Sequence, residues 1–185
     1  MKQYVSLVFI VLASLSSYCI AEYTNNLHLS ILGIDDIPNS YKLLFGISKI
    51  TGALVPVVIS FFIVITTSIM LNDVFDKHVS PKMIIQIVGF SYIPMVLYYY
   101  FFWINLIQYG SINSIKNVDD FTNMEFIFGM HLSDFSLINL LCWLYMYIFI
   151  AYNLIKRKID IMPAIISTFL PSAIFLFAYC LMMTL

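Results

Sequence analysis

The chain has 185 residues, 62% of them hydrophobic and only 10% charged, with a mean hydropathy of +0.94. Soluble domains run nearer a quarter charged, so water is not the main solvent of this chain. Nine basic against ten acidic residues give a formal net charge of −1, which excludes the polycation that a nucleic-acid partner requires.

At about 20 residues per membrane-spanning helix, the length holds several spans and short connections but no separate soluble domain. An all-α integral membrane protein is expected, a bundle of five transmembrane helices in one domain over residues 1–185. The first apolar run covers about residues 4–21 and ends in Cys19-Ile20-Ala21 before Glu22. A retained helix is the preferred reading, with a cleaved signal peptide as the alternative. From Glu22 to Lys49 the chain turns polar, and Asp35-Asp36 and Pro38-Asn39-Ser40 supply turn chemistry, so a first exposed loop is expected. The second span is expected over about 50–71, with Gly52 and Pro56 near its start, followed by a short polar turn from Asn72 to Lys82. The third covers about 83–107, contains Pro94 and carries the aromatic run Tyr98 to Trp103 expected at a membrane boundary. A second exposed loop runs from Gln108 to Ser133, where Phe121, Met124, Phe126 and Phe128 suggest a short amphipathic segment. The fourth span covers about 135–155, closed by Lys156-Arg157-Lys158, and the fifth about 162–184.

Charge sets the expected orientation. With the first helix retained, Lys2, Lys77, Lys82, Lys156, Arg157 and Lys158 share one side against Lys42, Lys49 and Lys116 on the other. The positive-inside rule then puts the N-terminus in the cytoplasm and the C-terminus outside, with a bacterial inner membrane as the favoured host. Glu22, Asp35, Asp36, Asp119, Asp120, Glu125 and Asp134 make the expected outer face acidic.

No catalytic pattern is present. The spans are nearly free of ionisable groups, HExxH, GxSxG and Walker-type loops are absent, and His28, His78 and His131 are all expected in loops. Neither a cofactor nor a metal site is expected, and Cys19, Cys142 and Cys180 read as small packing residues. His131 with Asp134 is the best remaining constellation, and there a helix start capped by Ser133 or Asp134 outweighs a metal or proton site. Asp73 and Asp76 beside Lys77 likewise read as a solvated helix end. Pro56, Pro94 and Pro171 invite comparison with the broken helices of transporters, although ordinary kinks are commoner. Gln86, Ser91, Asn105, Asn139 and Asn153 read as polar contacts between helices.

The segment from Pro81 to Pro94, with Gly89, Phe90, Ser91, Tyr92, Ile93 and Pro94 in a Gly-aromatic-Ser-x-x-Pro order, resembles the Yip family of Ypt/Rab-interacting membrane proteins. Asp134 and Phe135 leading into Trp143 and a basic turn are similar to the opening of that family's fourth helix. The resemblance covers roughly Val55 to Phe177 and implies a compact five-helix membrane domain without known catalytic activity, of the bacterial type. The chain lacks the Asp-Leu-Tyr-Gly-Pro motif and the cytoplasmic N-terminal region of the eukaryotic members, so GTPase binding is not implied.

The leading expectation is a non-enzymatic interaction or scaffold protein, or an accessory subunit of a membrane complex. Its partners would be membrane lipid and another membrane protein or a second copy of itself. A small transporter or channel subunit and a lipid-active, membrane-shaping protein are the alternatives.

Overall fold

A computed structural model describes residues 2–32, 38–112 and 129–184, and every regular element among them is helical. The helices are α1 (Lys2–Leu32), α2 (Asn39–Ile69) with a π-helical turn (Met70–Val74) at its end, α3 (Pro81–Ser91), α4 (Ile93–Ile112), α5 (Leu132–Lys156) and α6 (Ile161–Thr184). Four stretches are long and apolar enough to cross a membrane, namely Tyr4–Leu27, Asn39–Val74, Pro81–Gln108 and Asp134–Lys156. The all-α membrane fold class expected from composition is therefore what the chain adopts. Helix α6 occupies the position of the expected fifth span, and its apolar part with described side chains is Ile161–Ile174.

Only 17% to 33% of the residues in the four spans are buried inside the protein. Along α2, for example, Leu54, Val58, Phe61 and Ile65 all point outward. Apolar faces this continuous are stable against hydrocarbon and not against water.

The expected loop from Glu22 to Lys49 is overturned. Helix α1 continues through Glu22 to Leu32, and α2 begins at Asn39, so the connection shrinks to a few residues. Each helix has 31 residues, about 46 Å at 1.5 Å per residue against a hydrocarbon core of about 30 Å. The polar residues that suggest a loop are satisfied in helical form. Lys49 Nζ meets Glu22 Oε1 at 2.9 Å, Asn25 donates to the Phe45 carbonyl, and Thr24 donates to the Ile20 carbonyl one turn back. His28 consequently lies within α1 rather than in a loop.

The expected third span is interrupted. Its first part, α3, ends at Ser91, and Tyr92 turns so that its N–H meets the Gly89 carbonyl before α4 starts at Ile93. Pro94 explains the break, because it has no N–H to give the Phe90 carbonyl and its ring crowds that carbonyl. Pro56 and Pro171, by contrast, sit inside continuous helices.

The described chain divides into two compact units. One comprises Met1–Ile10, Val58–Ile93 and Leu144–Leu185, with Leu71, Ile84, Val88, Met146, Ile150, Leu154 and Ala164 in its core. Here α1 and α3 approach so closely that a methyl group added at Gly89 would collide with the backbone of Ser6, while Phe9 and Phe90 meet beside it at 5.8 Å between ring centroids. The other comprises Val11–Val57 and Pro94–Trp143. Its core is built on Leu106 and Phe135, packed by Ile20, Tyr23, Tyr98, Phe101, Phe102 and Met130. The aromatic run is thus only partly a boundary feature. Tyr98, Phe101 and Phe102 turn inward, the last 4.8 Å from the Phe135 ring, while Tyr100 stays exposed.

Close backbone approach makes Gly89 the least replaceable residue at the α1–α3 crossing. Gly89→Ala forces the helices apart, an overpacking cost of about 1–3 kcal/mol, and should lower the thermal unfolding midpoint in detergent. The same change at Gly46, where nothing lies within 4 Å, should leave that midpoint unchanged or raise it.

Candidate functional site

The most developed polar arrangement among the described residues lies where α2 and α5 end. At the close of α2 the widened π turn brings the Phe75 N–H to the Met70 carbonyl at 3.1 Å. Asp76 then takes a left-handed conformation, φ 51°, which returns the Lys77 N–H to the Leu71 carbonyl at 2.8 Å. Asn72 clamps the rest of the turn. Its Oδ1 accepts from the Val79 N–H at 2.7 Å and its Nδ2 donates to the Val79 carbonyl at 3.2 Å, so one amide side chain pairs with both backbone groups of Val79. Ser80 then caps α3 by accepting from the Met83 N–H, and Pro81 follows at a position where no N–H is needed.

The end of α5 is a Schellman turn. Lys158 is left-handed at φ 67°, the Ile159 N–H reaches the Leu154 carbonyl at 3.3 Å, and the Lys158 N–H reaches the Ile155 carbonyl at 2.9 Å. The buried side chains of Ile159 and Leu154 supply the apolar contact of that motif. A left-handed residue with a side chain costs roughly 1–2 kcal/mol where glycine costs little, yet the chain places lysine here. Asp160 leads into α6, its carbonyl accepting from the Ala164 N–H at 3.1 Å. Its carboxylate meets Lys77 Nζ at 2.7 Å and so ties the two turns together.

Elsewhere the residues singled out by sequence have structural surroundings. His131 precedes α5, where its carbonyl accepts from the Asp134 N–H at 3.0 Å while its own N–H donates to Asp134 Oδ2 at 2.7 Å. That reciprocal pair is a capping box. His131 therefore holds the cap position expected of Ser133 or Asp134, and Asp134 is the third residue of the helix reaching back. Phe135 is buried in its unit's core, Trp143 is half-buried, and Cys142 points its thiol at the Pro94 carbonyl, 3.8 Å away. Of the family-pattern residues, Gly89, Phe90, Tyr92 and Pro94 gather at the α1–α3 crossing and the helix break that follows it.

The amides behave differently from the expectation of contacts between helices. Asn105 and Asn153 each donate to the carbonyl four residues earlier in the same helix, Phe101 at 2.7 Å and Phe149 at 2.8 Å. Ser91 does the same with Val88. In a medium without water the nearest spare carbonyl is the cheapest partner. Gln86 is half-buried on α3, and Asn139 Oδ1 is buried without a hydrogen-bond partner, as is Ser14 Oγ. Contacts between helices come instead from residues the sequence does not single out. Thr67 donates to the Ser167 carbonyl, and Ser172 donates to the Tyr147 hydroxyl at 2.7 Å.

No group of three or more His, Cys, Asp or Glu side chains placed to hold a metal occurs among the described residues. Cys19 and Cys142 are free thiols. The side chain of Cys180 and the segment Phe121 to Phe128 lie outside the described residues.

The chain matches no protein-family model, no curated protein and no solved structure. Its function is therefore read from its own geometry.

Two tests follow from the paired turns. Asn72→Ala strands both backbone groups of Val79, a buried residue, at a cost of about 1–3 kcal/mol, and should lower the unfolding midpoint in detergent. The Asp160 carboxyl is held below the usual carboxylate range by its hydrogen bond from Lys77 and by that ammonium charge. A depressed carboxyl pKa stabilises the fold above the unfolded value near 4 and loses that contribution as pH falls through the folded value. The difference in midpoint between wild type and Asp160→Asn should accordingly be constant from pH 6 to 8, shrink in acid below about pH 4, and diminish in high salt.

Proposed function

We propose that this chain is a multi-pass membrane protein without catalytic activity that acts as an interaction or scaffold protein, or as an accessory subunit of a membrane complex. The observation that carries this reading is how the polar groups are used. The turns at the helix ends are fixed by mutual hydrogen bonds, and much of the polarity within the spans is turned back on its own helix carbonyls. Such a molecule presents rigid outward faces and exposed turns rather than a water-filled reaction chamber. Proposed with it are a cytoplasmic N-terminus, an outer C-terminus and a bacterial inner membrane, supported by the six-to-three division of basic residues between alternate connections. The Yip-like order at Gly89 to Pro94 fits the same reading, since that stretch forms a tight helix crossing rather than a ligand site.

A small transporter or channel subunit is the second reading. It is favoured by the helix break at Tyr92, about 11 residues and hence about 16 Å into its span, and by the unpartnered Asn139 Oδ1 and Ser14 Oγ. Interrupted helices near mid-membrane serve substrate and ion sites in transporters.

Single cysteines at Asn39, His78 and Arg157, in a chain freed of its three native cysteines, test both readings. An impermeant thiol reagent applied to cells should label position 39 and spare 78 and 157; the reverse pattern overturns the orientation. Crosslinking from the same positions, followed by gentle-detergent purification, should capture a defined partner or a second copy. A dispersed monomer with no companion, combined with solute flux in proteoliposomes of the pure protein, would replace the scaffold reading with the transporter reading.

A further inference from the structure

We propose that the paired turns closing α2 and α5 bind the phosphate of an anionic membrane phospholipid, with Lys82, Lys156, Arg157 and Lys158 as the groups that hold it. Four exposed cations are brought to one end of one compact unit. Lys156, Arg157 and Lys158 form the Schellman turn, and Lys82 lies in the first turn of α3, directly after the loop that Lys77 ties to Asp160. None of the four has an ion-pair partner among the described residues. The acids nearby leave them free, because Asp160 is engaged by Lys77, and Asp73 and Asp76 belong to the opposite turn with their side chains exposed.

Depth selects a lipid over a soluble anion. Lys156 is the last residue of the apolar span Asp134–Lys156, Pro81 is the first of Pro81–Gln108, and Val74 is the last of Asn39–Val74. The cluster sits where hydrocarbon gives way to headgroups, the depth at which phospholipid phosphates lie. Arginine with flanking lysines suits that chemistry, since a guanidinium forks onto two phosphate oxygens while ammonium groups add charge without directional demand.

Lys158 provides the independent observation. Its left-handed backbone is a glycine position, φ 67°, so a lysine there keeps a charge at a place where conformation favours its absence. A costly backbone state that persists points to a use for the residue. The same feature makes the test clean, because Lys158→Gly removes the charge while easing the turn.

This proposal goes beyond the scaffold reading and rests only on the chain being embedded in a membrane. The experiment is native mass spectrometry of the full chain in mild detergent, with phosphatidylglycerol and phosphatidylcholine of identical acyl chains offered together. The expected result is selective retention of phosphatidylglycerol. Lys158→Gly and Arg157→Gln should each weaken that selectivity about fivefold, the effect of about 1 kcal/mol per basic residue at an anionic surface. Lys42→Gln, at the start of α2 in the other unit, should not change it. Equal retention of the two lipids by the wild type would overturn the proposal, as would undiminished selectivity in Lys158→Gly and Arg157→Gln. Displacement of the lipid by inorganic phosphate alone would also overturn it, in favour of a soluble anion.

Discussion

Everything in this chain depends on one constraint: a backbone N–H or carbonyl in hydrocarbon has no water to turn to. Helix formation answers it for most residues, and the remaining conflicts arise at the ends, at the prolines and at the polar side chains. At the ends the solutions are covalently local. Asn72 pairs with Val79, Ser80 caps α3, His131 and Asp134 cap α5 reciprocally, and Leu154 to Ile159 close α5 in a Schellman turn. Because each turn is fixed by its own hydrogen bonds, their side chains are presented in defined places, and the Lys77–Asp160 pair can join two of them without bearing the fold.

The same constraint governs the interior. A side chain able to hydrogen-bond within a span first meets the unshared lone pair of a carbonyl one turn back. Thr66, Ser68, Asn153 and Thr168 all take that route. Where a side chain does cross to a neighbour, as Thr67 does to Ser167, the helices are already close. Packing therefore rests on shape more than on polar attraction. The Gly89–Ser6 crossing in one unit and the Phe135 aromatic cluster in the other are its two clearest instances.

What could be read from sequence follows from this. The spans near 135–155 and 162–184 fall within a residue or so of their helices, since sharp polar or basic turns bound them. The start of α2 and the end of α1 could not be placed, because Glu22, Asn25 and Lys49 announce solvent in a linear reading and find each other only across two helices. The proline break could be anticipated at Pro94 and not told apart from Pro56 and Pro171, which the helices absorb. Among the site residues, Asp134 was legible as a capping residue from its place before an apolar run. The clamp by Asn72 was not, since an asparagine in a polar turn has many partners available. The left-handed state of Lys158 had no signal at all in the absence of a glycine. The Ser80-Pro81 pair is a sequence signature of a helix start and would have located α3 to the residue.

The π-helical turn at Met70–Val74 fixes the length of the chain at that point. A π turn holds one residue more than the α turn it replaces, and each residue advances a helix by about 100°. Loss of one residue from this stretch would restore a regular helix and at the same time swing everything after it by more than a quarter turn. Asn72 would then no longer face Val79, and Lys77 would leave Asp160. The segment is thus intolerant of insertion or deletion even where individual side chains within it can be exchanged.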